Sequence, residues 1–167
     1  LMNSKAKELG MKNTIFYNSS GLDNTTRGNL STVYDMALLT KYAMQNDTYK
    51  EIVKTKKHTV KTNLKTYIWH NKNKLLSYDY VTGGKTGYTA EALQCLVSYA
   101  IRDKDANVAV TAKATGKWHC IFDTFGLYGN YIKNPPGYVR QQDVWRYDMK
   151  KLLVALLVII LGVGGGI

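Results

Sequence analysis

Two runs of strand-forming residues separated by a short polar segment constrain the fold of this chain most strongly. Residues 93–102 read LQCLVSYAIR, residues 107–114 read NVAVTAKA, and the tetrad DKDA lies between them. β-Branched and aromatic residues favour strands, and a short polar segment between two strands is typical of a hairpin loop. The sequence therefore predicts two antiparallel strands joined by a four-residue loop.

Hydrophobic spacing and capping residues indicate the other elements. Ser31 and Asp47 are the expected N-caps of two helices, and Gly10 is the expected end of an earlier one. The further predicted elements are helices over 2–10, 32–46, 47–55 and 116–132, and strands over 56–62 and 65–71. Helices followed by several antiparallel strands and a last helix predict an α+β domain, with an antiparallel sheet flanked by helices.

The segment GGKTGYT, residues 83–89, is the strongest candidate for a functional motif. A phosphate-binding loop of the Walker A type needs a glycine at position 79, and that residue is Asp79. Such a loop also precedes a helix, whereas this segment leads into the predicted strand at 93–102. Both observations exclude a phosphate-binding loop.

A Lys-Thr-Gly tripeptide on a strand can hold a carboxylate. The ammonium group of Lys85 supplies a positive charge, and the hydroxyl group of Thr86 supplies a hydrogen-bond donor. Gly87 has no side chain, so a substrate could lie against the strand edge and pair with it. The competing interpretation is a tight turn with an exposed lysine, because a lone K-T-G tripeptide also occurs by chance.

The sequence around this tripeptide resembles the low-molecular-mass penicillin-binding proteins that are serine-type D-alanyl-D-alanine carboxypeptidases, peptidase family S11. K-T-G resembles the third motif of that family. The segment after the family's second motif resembles MNSKAKELGMKNTIFYNSSGLD, and the helix that follows it resembles STVYDMALLTKYAM. The region around the family's third motif resembles NKNKLL and GGKTGYTAEALQCLVSYA. The resemblance covers residues 2 to about 112 and implies a β-lactamase/transpeptidase-like fold, here as a partial domain.

The resemblance implies an activity and a set of site residues. The implied reaction removes the terminal D-Ala from peptidoglycan stem peptides through an acyl-enzyme on serine, without a cofactor, and β-lactams trap that serine in the full-length protein. Lys85, Thr86 and Gly87 would bind the substrate carboxylate, and Tyr88 would line the site. Lys72 matches a basic position near the carboxylate pocket, with a solvated surface lysine as the alternative. The implied location is extracytoplasmic, in the cell envelope.

The family nucleophile and its base have no counterpart in this sequence. The stretch Ser4–Lys7 has the literal spacing S-x-x-K, but it falls after the position of the second motif and too close to Lys85. S-x-N occurs nowhere, and Tyr128–Asn130, a Y-x-N imitation, follows K-T-G in the wrong order. We therefore expect no catalytic residue here, an inactive isolated chain, and activity only as part of a longer protein.

The alternative to an enzyme fragment is a non-catalytic cell-wall-binding or scaffold protein that retains the K-T-G half of the fold. In-frame S-x-x-K and S-x-N motifs upstream would favour the enzyme. A genuine start codon near Leu1 would favour the scaffold.

The charge of the chain favours anionic partners. The net charge is +11, which suits nucleic acid, a membrane surface or an anionic cell-wall polymer. No RNA-recognition, zinc-finger or helix-turn-helix signature accompanies it, and the basic residues are expected to be scattered, so no nucleic-acid partner is predicted. Cys95 is expected to be a buried thiol, and Cys95, Cys120 and the histidines lack the spacing of metal ligands.

The sequence divides into three parts. The resemblance implies that residues 1–133 form the C-terminal part of a carboxypeptidase domain, and composition predicts a linker over 134–150 and an apolar tail over 151–167. The tail is shorter than the about 20 residues of a membrane-spanning helix. A C-terminal membrane anchor, a buried helix, and a signal-peptide-like start at Met149 in a joined reading frame remain open as alternatives.

Overall fold

The structure, a computed structural model, describes residues 1–23, 27–132 and 157–161. The elements are α1 (Met2–Glu8), α2 (Val33–Ala43), α3 (Asp47–Lys54), β1 (Lys57–Lys61), β2 (Thr66–His70), a 3₁₀ helix (Lys74–Ser77), β3 (Val81–Thr89), β4 (Leu93–Arg102), β5 (Asp105–Ala114), α4 (His119–Tyr131) and β6 (Leu157–Leu161). Among the described residues, four strands form an antiparallel sheet in the order β3-β4-β5-β6, and two more form a separate antiparallel pair, β1-β2.

The predicted hairpin is present, with a shorter turn than expected. Asp103 and Lys104 have φ angles of 49° and 76°, the positive values that a two-residue type I′ turn requires. Arg102 already pairs with Asp105, so the last two residues of the expected four-residue loop belong to β5.

Helices cover both faces of the sheet. Alternate residues of β5 point to opposite faces, so Val108 and Val110 pack against Ala37 of α2. The other face packs against α4 in a cluster that includes Leu96, Ala100, Ala109, Ile121 and Leu127. An antiparallel sheet between helices confirms the predicted α+β class.

Two predicted N-caps are wrong by one residue. Thr32 rather than Ser31 caps α2, and Asn46 rather than Asp47 caps α3. In each case the capping side chain accepts a hydrogen bond from the backbone N–H three residues further on, at 3.1 Å and 2.9 Å. Sequence preference alone does not separate two adjacent polar residues, because both types cap helices.

Asp35, a buried residue of the first turn of α2, holds the loop at residues 13–14 against that helix through hydrogen bonds. Its Oδ2 accepts hydrogen bonds from the backbone N–H of Asn13 at 2.8 Å and from the hydroxyl of Thr14 at 2.7 Å. The side chain is 1% exposed, so water cannot replace these partners.

We expect Asp35→Ala to lower the free energy of unfolding by about 3 kcal/mol, because the backbone N–H of Asn13 and the hydroxyl of Thr14 both lose a buried carboxylate acceptor. Urea titration followed by circular dichroism measures this change. Asp47→Ala is the control, because Asp47 also lies in a first helical turn but its ion pair with Lys50 is exposed. Equal effects of the two substitutions would contradict the role given to Asp35.

The predicted linker lies outside the described residues, and of the apolar tail only 157–161 are described. These residues form β6, which pairs with β5 from Val110↔Leu157 to Ala106↔Leu161. Among the described residues, no helix has the length and hydropathy needed to cross a bilayer. The three-part division of the chain stays a prediction.

Candidate functional site

The segment GGKTGYT lies in β3, an edge strand of the four-stranded sheet. β3 pairs with β4 on one side, with Lys85 opposite Val97 and Gly87 opposite Cys95. Its other side carries no strand among the described residues. The interpretation of K-T-G as a tight turn is therefore wrong, and the tripeptide borders an edge to which an extended ligand can add as a further strand.

Lys85 presents a cation at this edge. Its side chain is exposed, and its ammonium group donates a hydrogen bond to the carbonyl oxygen of the adjacent Thr86. It makes no ion pair with any residue that the structure describes. A cation without a protein counter-ion, held beside an open strand edge, suits an anionic group of a ligand.

The glycines of the segment have different roles. A Cβ atom at Gly84 would lie 2.5 Å from Nδ2 of Asn73 and 2.6 Å from the carbonyl oxygen of Val97, so no larger residue fits there. At Gly87 the nearest atom is Cβ of Cys95, at 4.0 Å. Gly84 therefore permits close packing behind the strand, whereas Gly87 leaves the surface beside Lys85 open.

Asn73 connects the segment containing Lys72 to β3. It is 2% exposed, and its Oδ1 caps the 3₁₀ helix by accepting from the backbone N–H of Leu75 at 3.1 Å. Its Nδ2 fills the space that a side chain at Gly84 would need. The backbone at Lys72 is thereby held next to the strand, and the Lys72 side chain is exposed.

Thr86 and Tyr88 face the side of the sheet opposite to Lys85, because successive side chains of a strand alternate. Thr86 is half-buried, and Tyr88 is 62% exposed at the end of β3. The structure thus brings Lys85, Thr86, Gly87 and Tyr88 together along one strand edge rather than on one face.

Two buried tyrosines, Tyr80 and Tyr128, form an aromatic pair that has no signal in the sequence. The rings of Tyr80 and Tyr128 meet edge-on with centroids 5.8 Å apart. Burial raises the pKa of Tyr80 to about 12 and also raises the pKa of Tyr128, so both hydroxyl groups are neutral at physiological pH. No local pattern could have indicated this pair, because it joins α4 to the segment before β3.

The two sequences that imitate the missing motifs lie on α1 and α4, and neither lies on the strand that carries Lys85. Tyr128 of the Y-x-N sequence is buried on α4. Ser4 of the S-x-x-K sequence is exposed on α1, which does not pack extensively against any described element. These placements agree with the rejection of both sequences as catalytic motifs.

Both cysteines are free thiols. Cys95, expected to be buried, is only half-buried, whereas Cys120 is buried and its pKa is raised by burial. Among the described residues, no group of three or more His, Cys, Asp or Glu side chains could hold a metal ion.

Comparisons with known proteins agree with this geometry. Residues 1–116 match the profile of the D-alanyl-D-alanine carboxypeptidase family, peptidase family S11. D-alanyl-D-alanine carboxypeptidase DacF of Bacillus subtilis (strain 168) is 39% identical over 116 residues, which are 68% of this chain and 29% of that protein. D-alanyl-D-alanine carboxypeptidase of Streptomyces sp. (strain K15) is 41% identical over 108 residues, 60% of this chain and 36% of that protein.

The fold comparison gives the same result. The crystal structure of the Streptomyces K15 DD-transpeptidase matches with a TM-score of 0.67 and 35% identity, over 74% of this chain and 49% of that one. This match confirms the expected β-lactamase/transpeptidase-like class. The chain spans about a third of the length of the curated relatives and about half of the solved structure.

Proposed function

Because the chain belongs to the D-alanyl-D-alanine carboxypeptidase family, peptidase family S11, we propose that β3 binds the terminal carboxylate of a D-Ala-D-Ala peptide. The proposed activity is that of a serine-type carboxypeptidase acting on peptidoglycan stem peptides. In this proposal the nucleophilic serine belongs to an S-x-x-K motif in a longer protein, with S-x-N as the second motif, and the isolated chain is expected to be inactive. The proposed location is the extracytoplasmic face of the cell envelope, where that substrate is found.

In the proposed complex, the substrate lies extended along the open edge of β3. The ammonium group of Lys85 leaves the Thr86 carbonyl oxygen and pairs with the substrate carboxylate, to which the Thr86 hydroxyl donates a hydrogen bond. Gly87 leaves room for the substrate backbone, and Tyr88 and Lys72 flank it. The serine oxygen then attacks the carbonyl carbon between the two D-Ala residues, D-Ala leaves with a proton, and water hydrolyses the resulting ester.

The observation that supports this proposal most strongly combines two features: within the described part of the chain, one edge of β3 has no neighbouring strand, and the exposed cation beside it makes no ion pair. The edge provides backbone groups for an extended peptide, and the cation provides a partner for its free carboxylate. A peptide with an amidated C-terminus offers no such anion, so it is expected to be a poor substrate.

The proposal is tested with a joined protein, in which the N-terminal part of the Bacillus subtilis relative, up to the start of its match, precedes this chain. We expect the joined protein to release D-Ala from a diacetyl-Lys-D-Ala-D-Ala peptide, and the isolated chain to release none. The C-terminally amidated peptide serves as the matched control substrate. Failure of a folded joined protein to discriminate between the two peptides would contradict carboxylate recognition by β3.

The second candidate is a non-catalytic binding protein of the cell wall. Its support is that the sequence contains Lys85-Thr86-Gly87, the residues proposed to bind a carboxylate, but no S-x-N. In that case the isolated chain would bind peptides ending in D-Ala-D-Ala without turning them over, and Lys85→Ala would abolish binding in a calorimetric titration.

A further inference from the structure

The hairpin formed by β1 and β2 projects from the body of the protein. Among the described elements, its two strands pack extensively only against each other. Thr62 closes its turn, because its hydroxyl accepts hydrogen bonds from the backbone N–H groups of Leu64 at 3.2 Å and Lys65 at 3.1 Å. This turn holds Leu64 at the tip, where its side chain is 86% exposed.

The hairpin and its flanking segments carry a concentrated positive charge. Residues 52–78 contain seven lysines and no acidic residue, so the basic residues are not scattered as expected. All seven side chains are exposed: Lys54, Lys56, Lys57, Lys61, Lys65, Lys72 and Lys74. Charge of one sign on a projecting element attracts an anionic surface from a distance.

Exposed apolar side chains accompany these lysines. Besides Leu64 at the tip, Ile68 and Trp69 on β2 are 52% and 56% exposed, and Ile52 on α3 is 66% exposed. The Trp69 ring stacks on His58, with centroids 6.0 Å apart. The hairpin and the adjoining end of α3 thus combine a cationic character with apolar side chains that are more than half exposed.

We propose that this hairpin is a docking surface for a bilayer that contains anionic phospholipids. The anionic headgroups attract the lysine ammonium groups, which makes the binding free energy more favourable. Tryptophan and leucine side chains enter the interfacial region beneath the headgroups. A soluble phosphate polymer would engage the lysines but would not bury Leu64. A nucleic acid would need aromatic faces for base stacking, and one face of Trp69 is already occupied by His58. This proposal is independent of the carboxylate site on β3.

Co-sedimentation of the full chain with vesicles tests the proposal. We expect tighter binding to vesicles of phosphatidylcholine containing about one third phosphatidylglycerol than to pure phosphatidylcholine, and a smaller difference at high salt because exposed charges are screened. Binding to pure phosphatidylcholine as tight as binding to the anionic vesicles would contradict a charge-led interaction.

Two quadruple variants, each losing four positive charges, locate the binding surface. The first carries Gln at Lys56, Lys57, Lys61 and Lys65 of the hairpin, and the second carries Gln at the exposed Lys12, Lys41, Lys104 and Lys113 elsewhere. We expect the hairpin variant to lose at least about a hundredfold in vesicle affinity and the control variant less than about fivefold. Both variants retain the apolar tail, so a contribution from the tail cancels. Equal losses would overturn the proposal.

The tip residue distinguishes a bilayer from a soluble polyanion. Leu64→Asn keeps the charge and the turn, and we expect it to lower vesicle affinity several-fold while leaving binding to soluble polyphosphate unchanged. The chain could instead bind polyphosphate or a single-stranded oligonucleotide as tightly as it binds the vesicles. That result would assign the surface to a soluble polyanion and would overturn the proposal of a bilayer. Thermal unfolding of every variant confirms that the fold is retained.

Discussion

Replacing Gly84 with alanine is expected to lower the free energy of unfolding by about 4 kcal/mol, because the added methyl group meets a backbone atom and a buried side chain. The new Cβ would lie 2.6 Å from the backbone oxygen of Val97, which is held in the β3–β4 pairing. It would also lie 2.5 Å from Nδ2 of the buried Asn73. Neither neighbour can move without breaking the strand pairing or the cap of the 3₁₀ helix.

Gly87→Ala is the matched control on the same strand. Its nearest neighbour is 4.0 Å away, and neither glycine has a positive φ, so backbone strain does not distinguish the two positions. We expect Gly87→Ala to change the free energy of unfolding by less than about 1 kcal/mol in a urea titration. Similar losses for the two variants would show that Gly84 is not a packing requirement.

Lys85→Ala in the joined protein is expected to lower kcat/KM for D-Ala release about a thousandfold, which corresponds to roughly 4 kcal/mol of transition-state stabilisation. The substitution removes the only cation that K-T-G offers to the substrate carboxylate. Because Lys85 is exposed and makes no ion pair with a described residue, its loss should leave the fold intact.

Lys104→Ala provides the control for this effect. Lys104 is an exposed lysine in the β4–β5 turn, and its loss removes the same charge without touching the strand edge. We expect kcat/KM to stay within about twofold of the unsubstituted joined protein, because long-range effects of one exposed charge are screened. A loss below tenfold for Lys85→Ala, or equal losses for both variants, would contradict the role of Lys85.

The central sheet could be predicted because its signals are local. The β-branched and aromatic residues of 93–102 and 107–114 indicate two strands, and the intervening polar residues indicate a turn between them. Gly10 was expected to end α1, and it has a φ of 75° directly after the helix. The tripeptide at Lys85 was assigned to a strand edge because its resemblance to a known motif added to its local chemistry.

Other features could not be predicted because they depend on residues distant in sequence. Nothing near Asn73 indicates that its amide occupies the space beside Gly84, since the contact arises only when the 3₁₀ helix packs behind β3. The pairing of Asp35 with the loop at Asn13 is likewise a tertiary contact. The exposure of the β1–β2 hairpin depends on which elements pack against it, and a strand pattern does not report this.

Labelling with a fluorescent penicillin reports carboxylate recognition by β3 in a single step, because a β-lactam acylates only a serine that is assembled with its base and a carboxylate-binding strand. The three samples are the isolated chain, the joined protein, and the joined protein with Lys85→Ala. We predict no label on the isolated chain, stoichiometric label on the joined protein, and strongly slowed labelling of the Lys85→Ala variant. Covalent label on the purified isolated chain, or labelling of the joined protein at a rate independent of Lys85, would contradict the account.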